Sequence, residues 1–112
     1  MSWDIDFYMK SGDGNEYRLD VGYDLNYTHN TNNMLREVGF LVNSWGDWDG
    51  VQVGVFRQAV ADAVNLLKEN PHLSNMNPEN GWGSYDGLID IMSKTLEASN
   101  RVPADAIVRV CY

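Results

Sequence analysis

This 112-residue chain has one cysteine, three prolines and only eight basic residues. The lone cysteine, Cys111, rules out an internal disulfide framework and a cysteine-based zinc site. It stands in an apolar alternation near the C-terminus, where a packed strand thiol is expected rather than a nucleophile. Eight Lys and Arg against sixteen Asp and Glu give a formal net charge of −8. That balance argues against direct binding to DNA, RNA or anionic membranes, whose charge has the same sign. No apolar run approaches the roughly 18 residues of a membrane span. Met1-Ser2-Trp3-Asp4 lacks the basic flank of a secretory signal, so the expected compartment is the cytoplasm. Enzyme signatures are missing as well: no P-loop, no His-Glu-x-x-His, no Gly-x-Ser-x-Gly and no Cys-x-x-Cys. Gly12-Asp13-Gly14 is turn chemistry and not a dinucleotide fingerprint, since no helix is expected after it. Neither a cofactor nor a metal is implied.

What the chain does have is apolar content of 44% with 12% aromatics, enough to bury a core without staples. Residues 1–112 read as a single domain. Trp3, Ile5, Phe7 and Met9 alternate with Asp4, Asp6, Tyr8 and Lys10, a period of two that marks a half-buried strand. After the turn Ser11–Asn15 a second alternation follows. It sets Tyr17, Leu19, Val21, Tyr23, Leu25 and Tyr27 against Arg18, Asp20, Gly22, Asp24, Asn26 and Thr28. Together they predict an antiparallel hairpin.

Thr31 or Asn30 is expected to cap a short helix over Asn32–Val38 that Gly39 closes. The connector Phe40–Gly50 carries Trp45 and Trp48 as anchors over one edge of the core. Asp49 and Gln52 resemble a capping pair for a helix reaching about Lys68, with the stripe Val53, Phe56, Val60, Ala63, Val64 and Leu67. Asn70-Pro71 stops it. Ser84 should cap a third helix with the stripe Tyr85, Leu88, Ile89, Met92 and Leu96. A last strand, Ala106–Cys111, is apolar on both faces apart from Arg109, which suggests an interior position beside the first strand. The order β-β-α-α-α-β gives an α+β fold. About three strands, the N-terminal hairpin plus the C-terminal strand, carry two main helices on one face.

Two segments exceed what folding requires. Thr28-His29-Asn30-Thr31-Asn32-Asn33 is almost wholly hydrogen-bonding. Asn75–Gly87 concentrates Asn and Gly around Trp82. Both flank helix starts, where free N–H groups attract anions such as phosphate. Asn amides offer a donor and an acceptor together, which suits base edges, sugars and peptide groups. Trp82 or Tyr85 would supply a stacking surface. The candidate ligand-binding set is therefore His29, Asn30, Asn33, Asn77, Asn80, Trp82 and Tyr85, with no catalytic residue singled out. Asp4, Asp6, Asp20 and Asp24 share the hairpin's polar face, where cross-strand ion pairing is expected rather than metal binding.

The pairing of Tyr27-x-x-Asn30-x-x-Asn33-Met34 with Asn77-Pro78-x-Asn80-Gly81-Trp82-Gly83-Ser84-Tyr85 resembles small uncharacterised proteins of bacteriophages and prophages. The likeness spans about residues 27 to 96. It implies a phage origin and, by similarity to other small acidic phage proteins, inhibition of a host defence system. The expected function is non-enzymatic: binding a host protein or sequestering a small nucleotide-like ligand, with homo-oligomers allowed. Two alternatives stand beside it. One is a small enzyme on a polar metabolite with His29 as base; the other is an acidic mimic of nucleic acid.

Overall fold

Strand β1 (Ser2–Lys10) is the axis of the sheet, because it is paired along both edges. The computed structural model describes every residue from 1 to 112. One edge of β1 is shared in tandem by β2 (Glu16–Leu19) on its C-terminal half and β3 (Leu25–Thr28) on its N-terminal half. The other edge takes β4 (Ile107–Cys111), also antiparallel. The fold is α+β, with helices α1 (Asn32–Glu37), α2 (Val53–Glu69) and α3 (Tyr85–Ser99) between β3 and β4.

The sheet has four strands because the second run of the expected hairpin is interrupted. Phe7 faces Leu19 while Ile5 faces Leu25, so two steps of β1 are matched by six of its partner. The excess of four loops out around Gly22, whose φ is +75° and whose N–H the Asp20 carboxylate accepts at 2.9 Å. An even excess keeps side-chain parity, so Leu19 and Leu25 stay on the face that points at the helices. Alternation alone does not reveal such a break.

The inner face carries Trp3, Ile5, Phe7, Leu25 and Val108, all buried. Against it lie the full predicted stripe of α2 and the connector's Trp45, which stacks on Trp3 at 4.2 Å between ring centroids. In α3 the stripe is rotated from the expectation. Ile91, Thr95, Ala98 and Ser99 are buried, while Ile89 and Leu96 are only half-buried, since the helix rests on α2 as well as the sheet. Strand β4 sits beside β1 as expected, but on the outside of the sheet. Its apolar outer edge is covered by the connector: Gly50 N–H donates to the Val108 carbonyl at 2.7 Å, and Val108 N–H donates to that of Val51 at 2.9 Å. Asp49 is drawn into the same seam, accepting from Val110 N–H at 2.9 Å, so it does not cap α2. No helix is long and apolar enough to cross a membrane.

Candidate functional site

The start of α3 consumes most of the polarity that surrounds it. Ser84 Oγ accepts from Gly87 N–H at 3.0 Å, as expected of an N-cap. Asn77 Oδ1 accepts from Tyr85 N–H at 2.7 Å, and Tyr27 Oη accepts from Ser84 N–H at 3.0 Å. These are N–H groups that a bound anion would need, and side chains already hold them. Asp86 adds a negative charge in the first turn. At the other segment, Thr28 Oγ1 accepts from Asn30 N–H at 3.2 Å and caps a 3-10 turn over His29–Thr31; Thr31 stands at the N-cap position of α1, as expected, but its side chain makes no capping bond. The phosphate site expected at these helix starts is not what the geometry offers.

What remains is an open cleft of about 390 Å³ beside the paired ends of β1 and β3. Its lining is Met1, Ser2, Asn26, Tyr27, Thr28, Asn30, Trp82 and Gly83, with no charged side chain among them. Trp82 is 73% exposed, yet its backbone is held on both sides. Its N–H donates to Asn80 Oδ1 at 3.0 Å, and its carbonyl accepts from Asn30 Nδ2 at 3.3 Å. Gly81 and Gly83 flank it at φ of +74° and +95°, a region that suits glycine. Gly83 also lies so close to β3 that a Cβ there would stand 2.5 Å from Thr28 Cγ2. The loop therefore presents an indole to solvent from a fixed backbone.

The amide orientations in the cleft follow from their partners. Asn26 Nδ2 donates to Asp4 Oδ1 at 2.8 Å and to the Trp3 carbonyl at 3.2 Å, both acceptors only. Asn30 Nδ2 likewise faces a carbonyl. The orientation of both amides is thus set by their nitrogens, and what is left without a protein partner is Oδ1 of each residue and the second N–H of Asn30.

Of the seven candidate residues, the fold brings Asn30 and Trp82 into the cleft and puts Asn80 behind it as a strut. The other four do different work. Asn77 caps α3. Tyr85 is buried, its hydroxyl donating to the Leu67 carbonyl, so it offers no stacking face. Asn33 Oδ1 accepts from Arg36 Nη1 at 2.9 Å on the exposed side of α1. His29 is structural. Trp45 Nε1–H donates to Asn32 Oδ1 at 3.1 Å, which turns Asn32 Nδ2 onto His29 Nδ1 at 2.9 Å. That nitrogen must accept, so the neutral ring carries its hydrogen on Nε2, which is buried. No free lone pair is left for a general base. Sequence reading missed Ser2 and Asn26. Their signal was the polar face of the hairpin, which meets the His29 segment only once Ser2 is paired with Thr28.

On the acidic strand face Asp6 and Asp20 make internal contacts, Asp4 accepts from Asn26, and Asp24 is exposed. Arg18 pairs with Asp6 at 3.0 Å, Asp20 holds its own turn, and no three of His, Cys, Asp and Glu converge as metal ligands. Arg109 forks onto Glu16 with contacts of 3.0 and 2.6 Å, and these hydrogen bonds hold the Glu16 carboxyl below its ordinary value. No protein-family model, curated protein or solved structure matches the chain.

Proposed function

We propose that this chain is a non-enzymatic binding protein that takes a planar, hydrogen-bonding group into the cleft between Asn26, Asn30 and Trp82. The observation that carries the reading is the exposure of the Trp82 indole on a hydrogen-bonded backbone. Leaving a large indole in water forgoes roughly 1.5–3 kcal/mol of burial. Here Asn30 and Asn80 bond the backbone that carries the exposed ring, between two glycines of positive φ. A ring exposed at the rim of a cleft is suited to stacking. The cleft volume of about 390 Å³ lies within the roughly 300–1,000 Å³ range of small-molecule sites. The resemblance to small phage and prophage proteins supports a role against a host system, either by occupying a host protein or by sequestering a nucleotide-like small molecule. Nucleic-acid mimicry would rest on Asp4 and Asp24 alone, since Asp6 is paired with Arg18 and Asp20 holds its own turn. Native mass spectrometry of the protein purified from its natural host tests the reading. A low-mass species retained by the native chain and lost with Trp82→Ala supports it. A ligand retained equally by both proteins overturns it.

A further inference from the structure

We infer that the group the cleft accepts is a planar cation with N–H donors, a guanidinium such as an arginine side chain. The inference rests on the binding role proposed for the Trp82 cleft and specifies its ligand. Its first support is the hydrogen-bond inventory. With the Asn26 nitrogen fully bonded and the Asn30 nitrogen bonded once, the residues lining the cleft keep two amide oxygens, Oδ1 of Asn26 and of Asn30, against one amide N–H. These two acceptors call for a donor-bearing ligand. The Ser2 and Thr28 hydroxyls already accept one bond each and can take or give another.

The second support is electrostatic. Asp4, one hydrogen bond behind Asn26 at 2.8 Å, is in none of the five ion pairs of the molecule. Its carboxylate polarises the Asn26 amide, making the outward Oδ1 a stronger acceptor. A net charge of −8 favours cations over phosphates at long range. The one positive group at the rim is the Met1 amine, on a fully exposed residue where water and salt screen it.

The third support is shape. Guanidinium is flat, donates from a rigid fork and stacks on an indole face, so one group satisfies ring and carbonyls together. A nucleobase stacks equally well and can donate to the same oxygens, but it is neutral and lacks the charge attraction to Asp4. A free arginine derivative and an arginine on a partner protein share this chemistry.

The test follows the Trp82 indole N–H by two-dimensional NMR while N-acetyl-arginine amide, its lysine counterpart, adenosine or adenosine monophosphate is added. The expected result is saturable movement with the arginine compound, less with lysine and least with the monophosphate. Asp4→Asn should weaken arginine binding by roughly two- to fivefold and adenosine binding by less. An arginine-containing peptide that binds at least tenfold more tightly than the free derivative would assign the group to a protein partner; equal affinity would assign it to a small molecule. Tighter binding of adenosine, or no effect of Asp4→Asn on arginine binding, overturns the cation while leaving the Trp82 cleft standing. Silence of the indole signal toward all four compounds overturns this inference. If a ligand then binds without moving Trp82, the proposed function falls as well.

Discussion

Asn30 and Trp82, 52 positions apart in sequence, are joined by one hydrogen bond of 3.3 Å from the Asn30 amide to the Trp82 carbonyl. It links the segment after β3 to the loop before α3 and forms a wall of the cleft. Both residues are exposed, so the bond contributes little to stability and mainly fixes position. Replacing Asn30 with Ala should cost about 1 kcal/mol or less in chemical denaturation. It should also broaden or shift the Trp82 amide and indole NMR signals. A large loss of stability with an unmoved Trp82 would contradict this role.

Gly83 is where the loop touches β3. A methyl group there meets the Thr28 side chain, and the left-handed backbone adds strain. Gly83→Ala should destabilise the fold by about 1–3 kcal/mol, measured as a lowered denaturation midpoint. Gly81→Ala shares the backbone strain but meets no neighbouring atom, so its effect should be smaller.

Asn32 bridges Trp45 and His29 inside the core. Asn32→Ala leaves the Trp45 indole N–H buried without an acceptor and should cost about 1–3 kcal/mol. His29→Gln should be milder, since Asn32 and Trp45 keep their bond. If His29 were instead a base, His29→Gln would abolish function while Asn32→Ala spared it.

The Arg109–Glu16 pair makes a signed prediction for acid. Its hydrogen bonds depress the folded carboxyl below the ordinary 4.5. Its contribution is therefore present above pH 4.5 and is lost as pH falls through the folded value. The stability difference between the wild type and Arg109→Gln should be largest near neutrality and shrink below pH 4.5. A difference that stays constant down to pH 3 would contradict the assignment.

The chemistry of the chain let some elements be read directly. The α2 stripe from Val53 to Leu67, the alternation of β1 and the Ser84 cap are local patterns, and each is found where its period or cap places it. The break at Gly22 was hidden because four extra residues preserve alternation. The placement of Asp49 was hidden because an edge carbonyl or N–H of β4 is created only by tertiary pairing. In the site, composition marked both Asn-rich segments but not which amides are free. Asn77 and Asn80 look alike in sequence; one caps α3 and the other braces Trp82. Tyr85 and Trp82 also look alike as aromatics, and only packing separates the buried one from the platform.

The account stands most directly on whether Trp82 is a binding surface. Thermal denaturation of the wild type and Trp82→Ala, each with a panel of arginine derivatives, nucleosides, nucleotides and sugars, measures this. Because the indole is largely exposed, the two proteins should melt at nearly the same temperature without ligand. At least one compound should raise the wild-type midpoint and leave Trp82→Ala unmoved. A shift of equal size in both proteins, or none in either, would contradict the account.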